Sequence, residues 1–100
     1  MATAFIRVEP GDITGNGRGK PYREFVISYR KVRKASDLGL GTQDHSHTGS
    51  KTVAIREAKK LAKKFVKEGV TGVHLTINGC GRKLNGAFDL GDDGKFWRNR

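Results

Sequence analysis

One hundred residues carry 20 Lys plus Arg against 10 Asp plus Glu, a formal charge of +10. That length builds one domain, residues 1–100, with a single modest core, and excludes a buried multi-residue catalytic chamber beside a separate binding domain. The charge is the footprint of a polyanion binder.

In chain order, Thr3-Ala-Phe-Ile-Arg-Val-Glu9 alternates Ala4, Ile6 and Val8 with Phe5, Arg7 and Glu9 and predicts a first strand, stopped by Pro10-Gly11. Residues 11–21 read as a mobile, turn-rich loop around Gly15-Asn-Gly-Arg-Gly-Lys20. A phosphate-cradling P-loop would need Gly at Thr14 and a hydroxyl residue at Pro21, between a strand and a helix. Neither condition holds, so Arg18 and Lys20 remain backbone-contact candidates in a wide hairpin connection. Tyr22 to Arg33 predicts the second strand, antiparallel to the first, with Phe25, Ile27 and Tyr29 on one side and Glu24, Val26, Ser28 and Arg30 on the other. Arg30, Arg33 and Lys34 make its far end basic beside Tyr29, which suits either stacking and phosphate contact or a place at the core rim.

Residues 35–49 form a polar stretch read as a second mobile loop. It holds His45 and His47, which with His74 and Cys80 could be drawn as a zinc set. No Cys-x-x-Cys or His-Glu-x-x-His spacing supports that set, and neither a metal nor any other cofactor is expected.

From Ser50 to Glu68 the sequence predicts one long helix, with Ser50 as N-cap and Gly69 as the stop. Ala54, Ala58, Leu61 and Phe65, with Ile55, Ala62 and Val66 beside them, form the core stripe. At about 100° per residue, Arg56, Lys60, Lys63 and Lys67 fall opposite it, flanked by Lys59 and Lys64. An exposed helix face commonly carries lysine for solvation alone, but it then mixes Glu and Lys at i, i+4, worth about 0.2–0.5 kcal/mol per pair. Only Glu57 and Glu68 are available here, both at one border of the core stripe, which favours an anionic partner. That stripe is spent on the core and has no Trp-rich or Leu-rich face left for lipid, so no membrane partner is expected.

Thr71 to Asn78 alternates Val73, Leu75 and Ile77 with His74, Thr76 and Asn78 and predicts a third strand. A short fourth strand follows, either near Arg82-Lys83-Leu84 or displaced to Ala87-Phe-Asp-Leu90, with Asn85-Gly86 and Asp93-Gly94 as turns. In the tail, Phe96 and Trp97 either close the core edge or stack on bases beside Arg98 and Arg100.

The expected fold is a small α+β domain in ββαβ(β) order, a three-to-four-stranded antiparallel sheet packed on the long helix. Phe5 to Asp12, Ser50 to Lys63 and Val73 to Arg82 together resemble a family of small uncharacterised bacterial and phage domains built as hairpin, helix, hairpin. The resemblance implies a fold and no activity. A fainter likeness is to the arm-binding domains of phage-type integrases, in which a small sheet on one helix enters a DNA groove; here the helix is the charged element.

No catalytic constellation stands out. Ser46, His47 and Asp44 lie too close along one stretch to converge as a triad, no nucleophile elbow is present, and Asp89, Asp92 and Asp93 lack calcium-loop spacing. The expected function is a non-enzymatic accessory protein that binds nucleic acid through phosphates at Arg56, Lys59, Lys60, Lys63, Lys64 and Lys67, helped by Arg30, Arg33 and Lys34. The alternative is a phage- or plasmid-type inhibitor that sets the same basic face against an acidic host protein or a ribonucleoprotein. One cysteine, unable to pair internally, and no apolar run near about 18 residues point to the cytoplasm.

Overall fold

The alternation of small and branched residues in Ala4, Ile6 and Val8 makes β1 (Thr3–Thr14) the centre of the sheet, and all three are buried. A computed structural model describes residues 3–14, 22–33 and 41–99; Arg18, Lys20, Lys34 and Arg100 lie outside the described residues. The elements are β1, β2 (Tyr22–Val32), β3 (Gln43–Thr48), α1 (Lys51–Lys67), β4 (Gly72–Ile77), β5 (Gly86–Leu90) and β6 (Phe96–Asn99). They form one six-stranded sheet in the order β3-β2-β1-β4-β5-β6, antiparallel at every pairing except β1 with β4, which is parallel.

This corrects the expected three-to-four-stranded antiparallel sheet on a long helix. The helix has 17 residues, about 25 Å at 1.5 Å per residue, and packs over β4, β1, β2 and the edge of β3. Three features enlarge the sheet. First, β1 runs on past Pro10-Gly11 through an irregularity between Pro10 and Ile13, so strand replaces the expected turn as far as Thr14. Second, the stretch expected as loop from 35 to 49 contains β3, which pairs with β2 through backbone bonds that no side-chain pattern announces. Third, the tail forms β6 against β5. A helix between β3 and β4 carries the chain from one side of β1 to the other, as parallel pairing requires.

The helix starts where Ser50 adopts an extended conformation and its hydroxyl accepts from the Val53 N–H at 3.3 Å. It ends at Glu68, and Gly69 at φ +96° turns the chain away. Ala54, Ile55, Ala58, Leu61, Ala62 and Phe65 are buried against Ile6, Val8, Ile27, Val73, Leu75 and Ile77. Val66 departs from the expected stripe and is 48% exposed, because β5 and β6 continue beyond the helix's cover. Phe88, Leu90 and Phe96 extend the apolar layer there as partly buried residues.

Candidate nucleic-acid interface

Helical periodicity places Arg56, Lys59, Lys60, Lys63, Lys64 and Lys67 outside, and all six are exposed. Arg56, Lys60, Lys63 and Lys67 run as one stripe of roughly 16 Å at 1.5 Å rise per residue. One strand of duplex DNA presents about five phosphates over that length, at about 3.4 Å each. Thr52, Ile55, Arg56, Lys59, Lys60 and Lys63 line a shallow groove of ≈ 390 Å³ along the same face.

Local compensation is sparse. Lys60 stands 3.8 Å from Glu57, with both side chains exposed, a pairing worth about 0.2–1 kcal/mol. Lys59 rests its ammonium over the Phe96 ring at 5.6 Å. The first turn has no acidic residue and begins with Lys51, against the preference of the helix dipole for negative charge there. Lys64 and Lys67 in the last turn suit the dipole, whereas Arg56, Lys59, Lys60 and Lys63 gain nothing from it.

The remaining basic candidates separate from the helix. Tyr29 faces α1, its ring 5.3 Å from Phe65 and its hydroxyl donating to Gln43 Oε1 at 2.9 Å, so it occupies the core rim. Strand alternation then puts Arg30 on the opposite face of the sheet, with its guanidinium 5.3 Å above the Phe5 ring. Arg33 is exposed just past β2. Lys31 lies on the helix side, 3.8 Å from Glu68 and 4.8 Å from the Phe65 ring centre. The helix cations and their expected helper Arg30 thus lie on two surfaces, a cationic helix face and an open sheet face.

Ser46 pairs with Ile27 and His47 with Val26, so alternation sends the serine and histidine of the notional triad to opposite faces. His47 directs Nδ1 to Glu24 at 3.5 Å and Nε2 to Asp44 at 3.7 Å, His74 bonds Asp89, and His45 stands edge-on to Tyr29 at 6.4 Å. Among the described residues, no three His, Cys, Asp or Glu side chains gather as a metal site. Cys80 is buried, and burial pushes its thiol pKa up, with Lys51 partly opposing. Among the described residues, no helix is long and apolar enough to cross a membrane.

The sequence favours at least one of the two tail aromatics at the core edge and leaves open which. Trp97 and Phe96 are split, Phe96 joining the core edge while Trp97 is 59% exposed on the open face. Phe5, a large aromatic on the polar side of β1, was the available signal that this face differs from a solvated one. Compared with family models, with curated proteins and with solved structures, the chain matches none.

Proposed function

We propose that the protein is a nucleic-acid-binding accessory protein without enzymatic activity, acting in the cytoplasm and contacting phosphates through α1. The observation that carries this reading is the stripe Arg56, Lys60, Lys63 and Lys67, exposed along one helix face with Lys59 and Lys64 at its flanks. Binding through such a stripe releases counterions, so log affinity falls against log salt by about 0.9 per phosphate neutralised on duplex and about 0.7 on single strands. Replacing the four stripe residues with Gln keeps helix propensity and removes charge. Anisotropy titrations across a salt series are expected to show a slope reduced by up to roughly four contacts' worth. An unchanged slope, or no binding by the parent protein at low salt, would overturn the reading.

A second reading, a phage- or plasmid-type inhibitor of a host protein or ribonucleoprotein, draws on a different observation. Val66, Val70, Val73 and Leu90 line a groove of ≈ 360 Å³ bordered by Lys63, Lys67 and Asp92, an apolar patch with mixed charge at its rim that suits a protein surface. Stoichiometric recovery of one host protein from lysate, unaffected by nuclease, would favour this partner; loss of all partners on nuclease treatment would favour nucleic acid.

A further inference from the structure

The sheet face opposite α1 carries one continuous row of side chains across five strands. Register places Arg30 of β2 beside Phe5 of β1, Phe5 beside His74 of β4, His74 beside Asp89 of β5, and Asp89 beside Trp97 of β6. The contacts follow that register. Arg30 lies over the Phe5 ring, Phe5 stacks on His74 at 5.2 Å between centroids with planes 20° apart, and His74 bonds Asp89. Trp97 ends the row, and among the described residues no aromatic ring or cation covers its indole.

We propose that this face is a platform for single-stranded nucleic acid, with a base stacked on Trp97, the exposed edges of Phe5 and His74 as its apolar floor, and phosphates held by Arg7 and Arg30. The proposal rests on the nucleic-acid reading above and adds its substrate class and a second surface. Cross-strand pairing explains Phe5 with His74 as a contribution to the sheet, but it leaves Trp97 and Arg7 unexplained. A base can stack only where an aromatic face is open, which Trp97, 59% exposed, offers, while Phe5, 38% exposed between Arg30 and His74, shows its edge. Gly91 holds the indole in place: a Cβ there would stand 2.9 Å from Trp97 Nε1, so a larger residue would push the ring off its seat.

The placement of the two arginines and the shape of the hollow fit the same occupant. On this face Asp89 bonds His74, Glu24 and Asp44 flank His47 at the far edge on β2 and β3, and Arg7 and Arg30 border the hollow between. Phe5, Arg7, Arg30, Thr42 and Thr76 bound a hollow of ≈ 310 Å³, the low end of the range for ligand sites, which suits one nucleotide rather than a larger group. From Phe5 to Trp97 is three inter-strand spacings, roughly 14 Å, the footprint of a few splayed bases. Duplex buries its base faces in the stack, so this platform selects single strands.

Trp97 is the sole tryptophan and reports directly. Titration with short oligothymidylate and oligouridylate is expected to quench its fluorescence, and the same length of duplex is not. Trp97→Ala is expected to weaken single-strand binding by about 5- to 150-fold, and Phe5→Ala by a smaller factor, read by anisotropy of a labelled oligonucleotide, with duplex affinity unchanged. Trp97→Phe should restore most of the loss, which a merely structural role for the indole would not predict for binding at unchanged melting temperature. If the parent binds single strand and duplex alike and the aromatic variants bind as the parent does, the platform is refuted while the helix reading stands. If the parent binds neither at low salt, both fall.

Discussion

At Cys80 burial and chemistry act in one direction. The side chain is 2% exposed, its backbone N–H is held by Asn85 Oδ1 at 2.7 Å, and desolvation raises the thiol pKa. The thiolate is the reactive form, so at neutral pH Cys80 is expected to react with a disulfide reagent far more slowly than free cysteine, and at the free rate once unfolded. Equal rates in the folded and unfolded chain would contradict the burial. A raised folded pKa also means that the folded state holds its proton more tightly. Its contribution to stability is present below the ordinary thiol value of 9.0 and declines as pH rises above it, which urea titrations on either side of that value would read. Gly79 next door poses a backbone requirement. It sits at φ +69° with Pro10 so close that a Cβ would meet Cγ at 2.2 Å, whereas Gly69 at φ +96° faces open space. Gly69→Ala is expected to cost about 1–2 kcal/mol from conformation alone, and Gly79→Ala about 1–3 kcal/mol more as Pro10 and the turn are displaced. Equal denaturation midpoints would remove the Pro10 contact from the account. At this scale the sequence was informative about Ser50, whose capping role follows from its own hydroxyl, and silent about Phe96 against Trp97, since neighbours on a strand part only once the sheet's two faces are known.

The helix is the element whose inward face could be read in advance, because 3.6-residue periodicity depends only on its own residues. Leu61→Ala should lose about 2–5 kcal/mol by opening a cavity against the sheet, and Lys63→Ala less than about 0.5 kcal/mol; similar melting losses would mean that the phase is wrong. Val66 escaped because its burial depends on how far β5 and β6 extend past the helix, a property of other elements. β3 is the opposite case. Gln43-Asp-His-Ser-His-Thr48 has no apolar residue, and four of its six positions are exposed, so nothing in its composition distinguishes strand from loop. What makes it a strand is the free edge of β2 and the backbone groups it offers. The two candidate surfaces divide along the same line. The cationic stripe is local to α1 and was legible; the row from Arg30 to Trp97 joins residues far apart in sequence through four strand registers and was not.

At the scale of the molecule, the sheet consists of two three-stranded meanders, β3-β2-β1 and β4-β5-β6, joined edge to edge along the parallel β1–β4 seam and crossed by α1. Ala4, Ile6, Val8 and Ile27 come from the first and Val73, Leu75 and Ile77 from the second, so each half holds part of one core and neither is large enough to stand alone. Separately expressed residues 1–50 and 51–100 are expected to lack cooperative unfolding by circular dichroism and to regain it on mixing; a stable isolated half would show two cores where the structure has one. The Asn78 N–H, bonding the Val8 carbonyl at 2.9 Å, extends the seam one residue past β4, and every pairing across it spans most of the chain. This connectivity sets an order on synthesis. A ribosome working at about 5–20 residues per second finishes β1 roughly three to twelve seconds before it begins β4 at Gly72. Once β3 is made at Thr48, for roughly the last one to five seconds of that interval, the nascent first meander presents an unpaired inner edge and an uncovered apolar face, the conditions under which identical neighbouring chains on one messenger can join to each other. The segment that emerges in between carries Lys59, Lys60, Lys63 and Lys64, like charges that oppose such joining until β4 arrives to close the seam.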